Sequence, residues 1–221
     1  MTDLDRLERL GRASGVAFVL VSLGTILSAT LVSPTFTWTG SALSDLGAPG
    51  TATALLLNGG LVLSGLVALP FVAWLYRYGR NGLERTGGAA LGVSAVLSAL
   101  VGVFPTGTPQ HFPVAVAFFL SVPVALWTHA TGSYRAGQAR DAVVGFVCGA
   151  LDPGAWLVWG LYVRTVAPGL AIPEIVGVLG LHAWALYTVF SSRRQGSGRT
   201  REDRTDGTDG RERATPGGWD Q

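Results

Sequence analysis

Six long apolar runs, separated by short polar segments, dominate this chain. Each run has close to the 20 residues, roughly, that a helix needs to cross a hydrocarbon core of about 30 Å. Because a backbone in lipid must satisfy its own hydrogen bonds, runs this long and this apolar predict helices. The runs cover residues 13–33, 51–76, 87–104, 112–128, 142–163 and 172–190. The pattern predicts an all-α polytopic membrane protein, a bundle of six transmembrane helices.

Arginine collects at every second gap between the runs. The arginine-bearing segments hold Arg6, Arg9 and Arg12, then Arg77, Arg80 and Arg85, then Arg135 and Arg140, and finally Arg193 and Arg194. The first and third loops hold none, and the fifth holds Arg164 alone. Cytoplasmic segments retain positive charge, so we expect both termini in the cytoplasm (N-in/C-in) and a multi-pass protein of the cell (plasma) membrane.

Three segments follow from this pattern. Residues 1–12 form an expected cytoplasmic N-terminal segment, and residues 13–190 form the six-helix transmembrane domain. Residues 191–221 mix Arg, Asp, Glu, Gly and Thr and carry almost no apolar side chains before Trp219. Such a segment buries too little surface to offset the entropy of ordering, so we predict a disordered cytoplasmic tail.

Composition agrees with a membrane protein and narrows its chemistry. Apolar residues make up 48% of the chain and charged residues 14%, against roughly 25% charged residues in soluble domains. A net charge of +2 gives no support for nucleic-acid binding. The lone Cys148 excludes an intramolecular disulfide. HExxH, GxSxG and Walker-type signatures are absent, no cofactor is evident, and the sequence leaves open whether the protein is an enzyme.

Five polar residues belong to the predicted outer side of the membrane: Ser44, Asp45, Asn58, His111 and Glu174. Together they could form an outward-facing polar pocket, with acid/base or ligand groups at its rim. Ser44 and Asp45 are also typical turn and helix-cap residues, so capping alone would explain them. Asp45, His111 and Glu174 are metal-ligand types, but their spacing matches no motif, which leaves a metal site undecided.

Two ionisable residues fall near the predicted mid-depth of the bundle: Asp152 in the fifth run and His182 in the sixth. Ionisable groups at that depth are costly and are candidates for function. Since consecutive spans form a hairpin, the two side chains could meet as a hydrogen-bonded pair, with Pro153 kinking the helix beside them. The alternative is that both residues only hold two helices together.

Several short motifs carry a resemblance to a known family. They are Ser44–Gly47, Leu57–Leu61 with Gly65, Gly102–Pro105 followed by His111, and Glu174 with Trp184. From the first span to the sixth, the chain resembles the prokaryotic family called domain of unknown function 998. More distantly, its Ser-Asp-x-Gly element is similar to that of the Frag1/DRAM/Sfk1 membrane proteins. The resemblance implies a six-span integral membrane protein and no particular activity.

Three functions remain open from the sequence. The outer pocket could bind or modify a lipid or small molecule. A transporter or proton-coupled carrier could use Asp152 and His182 as a relay at mid-depth. A structural or accessory membrane protein would use its polar residues only to cap and pin helices. The lipid bilayer is the one expected partner beyond a lipid or small-molecule ligand, and the oligomeric state is undetermined.

Overall fold

The computed structural model describes the backbone of residues 3–209 and the side chains of residues 5–191. Within these residues the chain is helical, without strands. The helices are α1 (Asp3–Val32), α2 (Ala54–Tyr78), α3 (Gly82–Val103), α4 (His111–Arg135), α5 (Ala139–Leu161) and α6 (Ala171–Asp209). Short 3₁₀ helices follow α1 and α5 at Leu43–Gly47 and Val163–Thr165. The predicted all-α class is therefore confirmed.

All six described helices contain a stretch that is long and apolar enough to cross a membrane, which confirms the predicted number of spans. All the helices except α2 are longer than their apolar runs. The first begins at Asp3 and includes most of the predicted N-terminal segment, because nothing between Arg12 and Ala13 breaks the helix. Helix α3 begins at Gly82, five residues before its apolar run, because Asn81 caps it by accepting a hydrogen bond from the Glu84 amide.

The chain divides into two units, Met1–Leu186 and Tyr187–Gln221. In the second unit the described backbone continues α6 to Asp209. The predicted disordered tail, residues 191–221, falls almost wholly outside the described side chains, and its last part also lies outside the described backbone. It stays a prediction. The site described below lies within the first unit.

Consecutive helices pack against each other from α1 to α5. Small residues allow the backbones to approach closely, as is common between membrane helices. At Gly65 of α2, a Cβ atom would lie 2.5 Å from the carbonyl oxygen of Ala95 on α3. At Gly180 of α6, a Cβ would lie 2.7 Å from the carbonyl oxygen of Cys148 on α5. These contacts fix how α2 faces α3 and how α5 faces α6.

The first, third and fifth loops meet at one end of the bundle, which we call the outer end because the arginine pattern predicts that it faces outward. Thr106 of the third loop donates a 2.9 Å hydrogen bond to the carbonyl oxygen of Ser44 in the first. The amides of Gly169 and Ala171 donate to the carbonyl oxygens of Thr39 and Ser41. The orientation itself stays a prediction.

Candidate functional site at the outer end

The 3₁₀ helix Leu43–Gly47 lies over an apolar cluster at the outer end. Leu43 and Leu46 are buried there with Leu57 of α2 and Val178 of α6. The alternation of apolar and polar residues in Leu-Ser-Asp-Leu-Gly explains this placement, because the two leucines enter the cluster while Ser44 and Asp45 keep their polar groups at its edge. The turn is thus bound to the ends of several helices.

Hydrogen bonds hold this turn in place from three directions. The Leu43 amide donates to a carboxylate oxygen of Glu174 on α6 at 2.6 Å. Asn58 on α2 donates from its side-chain amide to the carbonyl oxygen of Gly47 at 2.8 Å. Asp45 accepts from the amide of Ala42 at 2.8 Å, so its carboxylate caps the turn locally. The capping alternative thus accounts for Asp45.

Glycine allows close approach at two positions around Asn58. A Cβ on Gly47 would lie 2.3 Å from the side-chain oxygen of Asn58. A Cβ on Gly102 of α3 would lie 2.4 Å from the backbone carbonyl oxygen of Asn58. Both distances are far below van der Waals contact. The glycines of the Ser-Asp-Leu-Gly and Gly-x-Phe-Pro elements therefore let the first loop and α3 close directly onto Asn58.

His111 joins the third loop to the first. Its Nδ1 lies 2.8 Å from the carbonyl oxygen of Phe104, a contact that requires the proton on Nδ1. Its Nε2 lies 3.2 Å from the hydroxyl of Thr106, which also contacts the Ser44 carbonyl oxygen. The ring is therefore held in one orientation at the start of α4.

Four of the five polar residues expected at an outer pocket line one cavity: Ser44, Asn58, His111 and Glu174. The cavity encloses about 580 Å³ between the atoms, its open mouth included. Its remaining lining is almost wholly apolar and includes Ile26, Leu61, Phe118 and Val178. We call this space the outer pocket. Asp45 is absent from its lining, because the carboxylate is turned to the amide of Ala42.

A metal site is not assembled from these residues. Within the described part of the chain, no three His, Cys, Asp or Glu side chains are grouped closely enough to hold an ion. The Asp45 carboxylate accepts from the amide of Ala42 and therefore does not line the cavity, whereas His111 and Glu174 do. The structure thus supplies no arrangement on which a metal proposal could rest.

The two mid-depth residues do not form the hydrogen-bonded pair that the sequence suggested. Asp152 is buried against Gly177 of α6, where a Cβ would lie 2.8 Å from its Oδ1. Neither this Oδ1 nor Nε2 of His182 has a hydrogen-bond partner. Gly177 precedes His182 by five residues, or about 7.5 Å along the helix. The packing of α5 on α6 at glycines places the carboxylate too far toward the outer end.

A buried charge cluster at the opposite end was missed by the sequence reasoning. Glu84 is 2% exposed and accepts hydrogen bonds from the Arg80 guanidinium at 2.9 Å and from the Ser133 hydroxyl at 2.9 Å. Arg80 also pairs with Asp141 of α5 at 3.1 Å. Burial disfavours the Arg80 charge, but the hydrogen bonds and charges of these carboxylates outweigh it and raise the pKa of Arg80.

A local signal for this cluster does exist in the sequence. Asn81 followed three residues later by Glu84 is the spacing of a helix N-cap with an acidic third residue, which predicts the helix start. It does not predict burial. That comes from Gly132 on α4, where a Cβ would lie 2.6 Å from the Glu84 amide, so the two helices meet at this glycine.

The fold and the outer pocket define a six-span helical membrane protein with a polar-rimmed apolar cavity near one end. Residues 9–191 match the family described as Protein of unknown function (DUF998), and the chain belongs to that family. This confirms the family resemblance, while the likeness to Frag1/DRAM/Sfk1 proteins stays a prediction. A comparison with curated proteins finds no match, and a comparison with solved structures finds none either.

Proposed function

We propose that the outer pocket binds a lipid or another amphiphilic small molecule. The observation that carries this proposal is the convergence of Ser44, Asn58, His111 and Glu174 on one largely apolar cavity. A few polar groups on one side of an apolar space are typical of sites that orient a ligand by its polar end and hold the rest by burial. Binding sites for lipids need this division of surface.

The charged residues of the lining restrict the class of ligand that the pocket can accept. Glu174 is the only Asp, Glu or Arg side chain among the residues that line the cavity. A phosphate head group would find no arginine there to neutralise it, and burying an unpaired charge carries a large desolvation cost. The favoured ligand is therefore an amphiphile with an uncharged or cationic polar end.

Binding is better supported than catalysis. Each of three pocket residues uses one polar group to hold a loop. Glu174 contacts Leu43, Asn58 contacts Gly47, and His111 contacts Phe104. Asp45, the other acid expected to serve in acid/base chemistry, caps its own turn. The polar groups are fixed in place, as recognition requires. The hydroxyl beside His111, that of Thr106, donates to the carbonyl oxygen of Ser44 and not to the imidazole, so it is not activated as a nucleophile.

Native mass spectrometry of the purified protein would test this proposal. We expect a retained small molecule on the wild-type protein and a loss of about tenfold in its retention in Glu174→Gln, which removes one charge–ligand contact. The amide of glutamine can still accept from Leu43, so the loop remains held. Asp45→Asn is the matched control, because it also turns a carboxylate into an amide, within the turn that Glu174 holds, but off the cavity.

The outcome separates binding from a purely structural role. Equal retention in Glu174→Gln and Asp45→Asn, or no retained ligand with any lipid supplied, would leave the polar residues as loop anchors only. That is the accessory-protein alternative. Transport through Asp152 and His182 stays a separate hypothesis, which a water-lined path from both faces to these residues would favour.

A further inference from the structure

A second cavity lies deeper in the bundle, beside the outer pocket. It encloses about 500 Å³, open parts included, and is lined by apolar residues of α1, α2, α3, α4 and α6 together with Ser22, Ser94, Ser98 and His182. We call it the deep chamber. Five residues line both cavities, namely Ile26, Leu61, Ser98, Phe118 and Val178. The two cavities are therefore adjacent.

The two cavities reach well into the bundle. Glu174 lines the outer pocket and His182 the deep chamber, and they are eight residues apart on α6. At the rise of an α-helix this separation is about 12 Å. On α1, Ile26 and Phe18 are separated by the same number of residues. The deep chamber is therefore close to mid-depth, and the outer pocket is its neighbour on the side of the outer end.

His182, which lines the deep chamber, carries an unused acceptor. The residue is 3% exposed, and its ring stacks on Phe18 with centroids 4.8 Å apart. Nδ1 lies 2.6 Å from the carbonyl oxygen of Val178, so in the neutral ring Nδ1 carries the proton and Nε2 carries a lone pair. Nε2 is buried and has no hydrogen-bond partner. Buried polar atoms are rarely left so, and each calls for a donor.

We propose that the deep chamber is a binding site for a small lipophilic alcohol, whose hydroxyl donates to Nε2 of His182. An apolar space with one orphaned acceptor suits a molecule with one donor and a hydrocarbon body. The hydroxyls of Ser22 and Ser98 line the same chamber and can donate to the alcohol oxygen in return. A carboxylic acid would be excluded when ionised, because no positive side chain lines the chamber. Of its polar residues, only Ser98 is shared with the outer pocket, and Glu174, Asn58 and His111 do not line the chamber.

Competition between two isomers in phosphatidylcholine nanodiscs would test the proposal. Hexanol and methyl pentyl ether have the same atoms, but only the alcohol carries a donor. A diazirine-bearing hexanol labels the protein, and the labelled peptides are mapped by mass spectrometry. We expect labelling at residues that line the chamber, such as Ser94 and Ala95 of α3 and Val178 and Leu181 of α6. Hexanol should compete about tenfold better than the ether, the value of one hydrogen bond to a buried acceptor.

Two variants locate the effect. In His182→Phe the ring can still stack on Phe18 but the acceptor is gone, so the preference for hexanol over the ether should disappear. Glu174→Gln should retain the preference, because it changes only the outer pocket. Loss of ligand retention in Glu174→Gln alone would concern the proposed function and not this site.

Three results would overturn the proposal. One is equal competition by the two isomers on the wild-type protein, which shows that no donor is recognised. Another is labelling confined to lipid-facing residues such as Val93 and Val96 of α3, which are exposed. The third is a hexanol preference that survives in His182→Phe, which points to another acceptor. If His182→Phe does not fold, the wild-type isomer comparison alone decides.

Discussion

Glu174 of α6 accepts a 2.6 Å hydrogen bond from the backbone amide of Leu43, 131 residues earlier in the chain. Both groups are buried, so neither has water as a substitute partner. The contact binds the Ser-Asp-Leu-Gly turn to the last transmembrane helix. The same carboxylate lines the outer pocket. Loop anchoring and ligand contact are therefore combined in a single side chain, and the two roles can be separated by substitution.

Glu174→Ala should destabilise the protein by about 1–3 kcal/mol, because it leaves the buried Leu43 amide without an acceptor. Glu174→Gln should cost clearly less, since the glutamine oxygen can accept from the same amide. Thermal unfolding of the detergent-solubilised variants would measure both. Similar losses in the two variants would mean that the charge, rather than the hydrogen bond to Leu43, holds the turn.

Gly47→Ala should destabilise the outer end by about 1–3 kcal/mol through overpacking, since its Cβ would lie 2.3 Å from the Asn58 side chain. Gly59→Ala is the matched control on α2, where a Cβ meets nothing within 4 Å. That control should be neutral or stabilising by up to about 1 kcal/mol. The midpoints of thermal unfolding would give the comparison.

A double variant tests the cause of the Gly47 effect. If the clash with Asn58 is responsible, Gly47→Ala combined with Asn58→Ala should lose less stability than the sum of the two single changes. Strict additivity would show that Gly47 is needed for another reason, such as the backbone of the turn.

Glu84→Ala should cost about 3–5 kcal/mol, because it leaves the partly buried Arg80 without its principal partner and removes the acceptor of Ser133. Glu8→Ala is the contrasting control. Its pair with Arg12 at 3.0 Å is within one helix and its side chain is 42% exposed, so its loss should cost under about 1 kcal/mol. Chemical unfolding in mild detergent would compare the two.

The pH dependence of the Arg80 contribution has a definite sign. Its pKa is raised in the folded protein, so the stabilisation is fully present below the unfolded pKa and is lost only as pH rises through the folded one. Both values are far above neutrality. The contribution of Arg80 to the free energy of unfolding should therefore stay constant between about pH 6 and 9. Unfolding curves at several pH values would check this.

Cysteine labelling would test the predicted orientation. In a Cys148→Ala background, Thr35→Cys in the first loop and Ala139→Cys at the start of α5 are both exposed positions. An impermeant maleimide added to intact cells should label the first variant and not the second, because the arginines mark the second side as cytoplasmic. The reverse pattern would invert the topology and turn the outer pocket toward the cytoplasm.

Much of the fold could be predicted from local sequence. Six apolar runs gave the six helices, because span length and apolar content are properties of consecutive residues. The helix starts were less accurate. Helix α3 begins before its apolar run, since the cap at Asn81 and the buried Glu84 extend it with polar residues that a hydropathy pattern assigns to a loop.

The site could be predicted in part. Ser44, Asn58, His111 and Glu174 were expected on one side, and they share one cavity. Asp45 shows the limit of the method. Ser44 lines the pocket, but the carboxylate of the adjacent Asp45 accepts from the amide of Ala42. The sequence does not predict which of two neighbouring residues in a short helix faces the cavity. Likewise, the depth of Asp152 and His182 was inferred from the sequence, but the structure packs Asp152 against Gly177 and leaves the two side chains unbonded to each other.

By itself the sequence determined the number of helices and the family. It also predicted on which side of the membrane each polar residue lies. These follow from hydropathy, charge and short motifs, which are local along the chain. Tertiary structure alone decided which side chains meet. The rotation of each helix about its axis is set where glycines such as Gly102 and Gly177 allow close approach. Those contacts formed the outer pocket, buried Glu84 and left Nε2 of His182 without a hydrogen-bond partner beside the deep chamber.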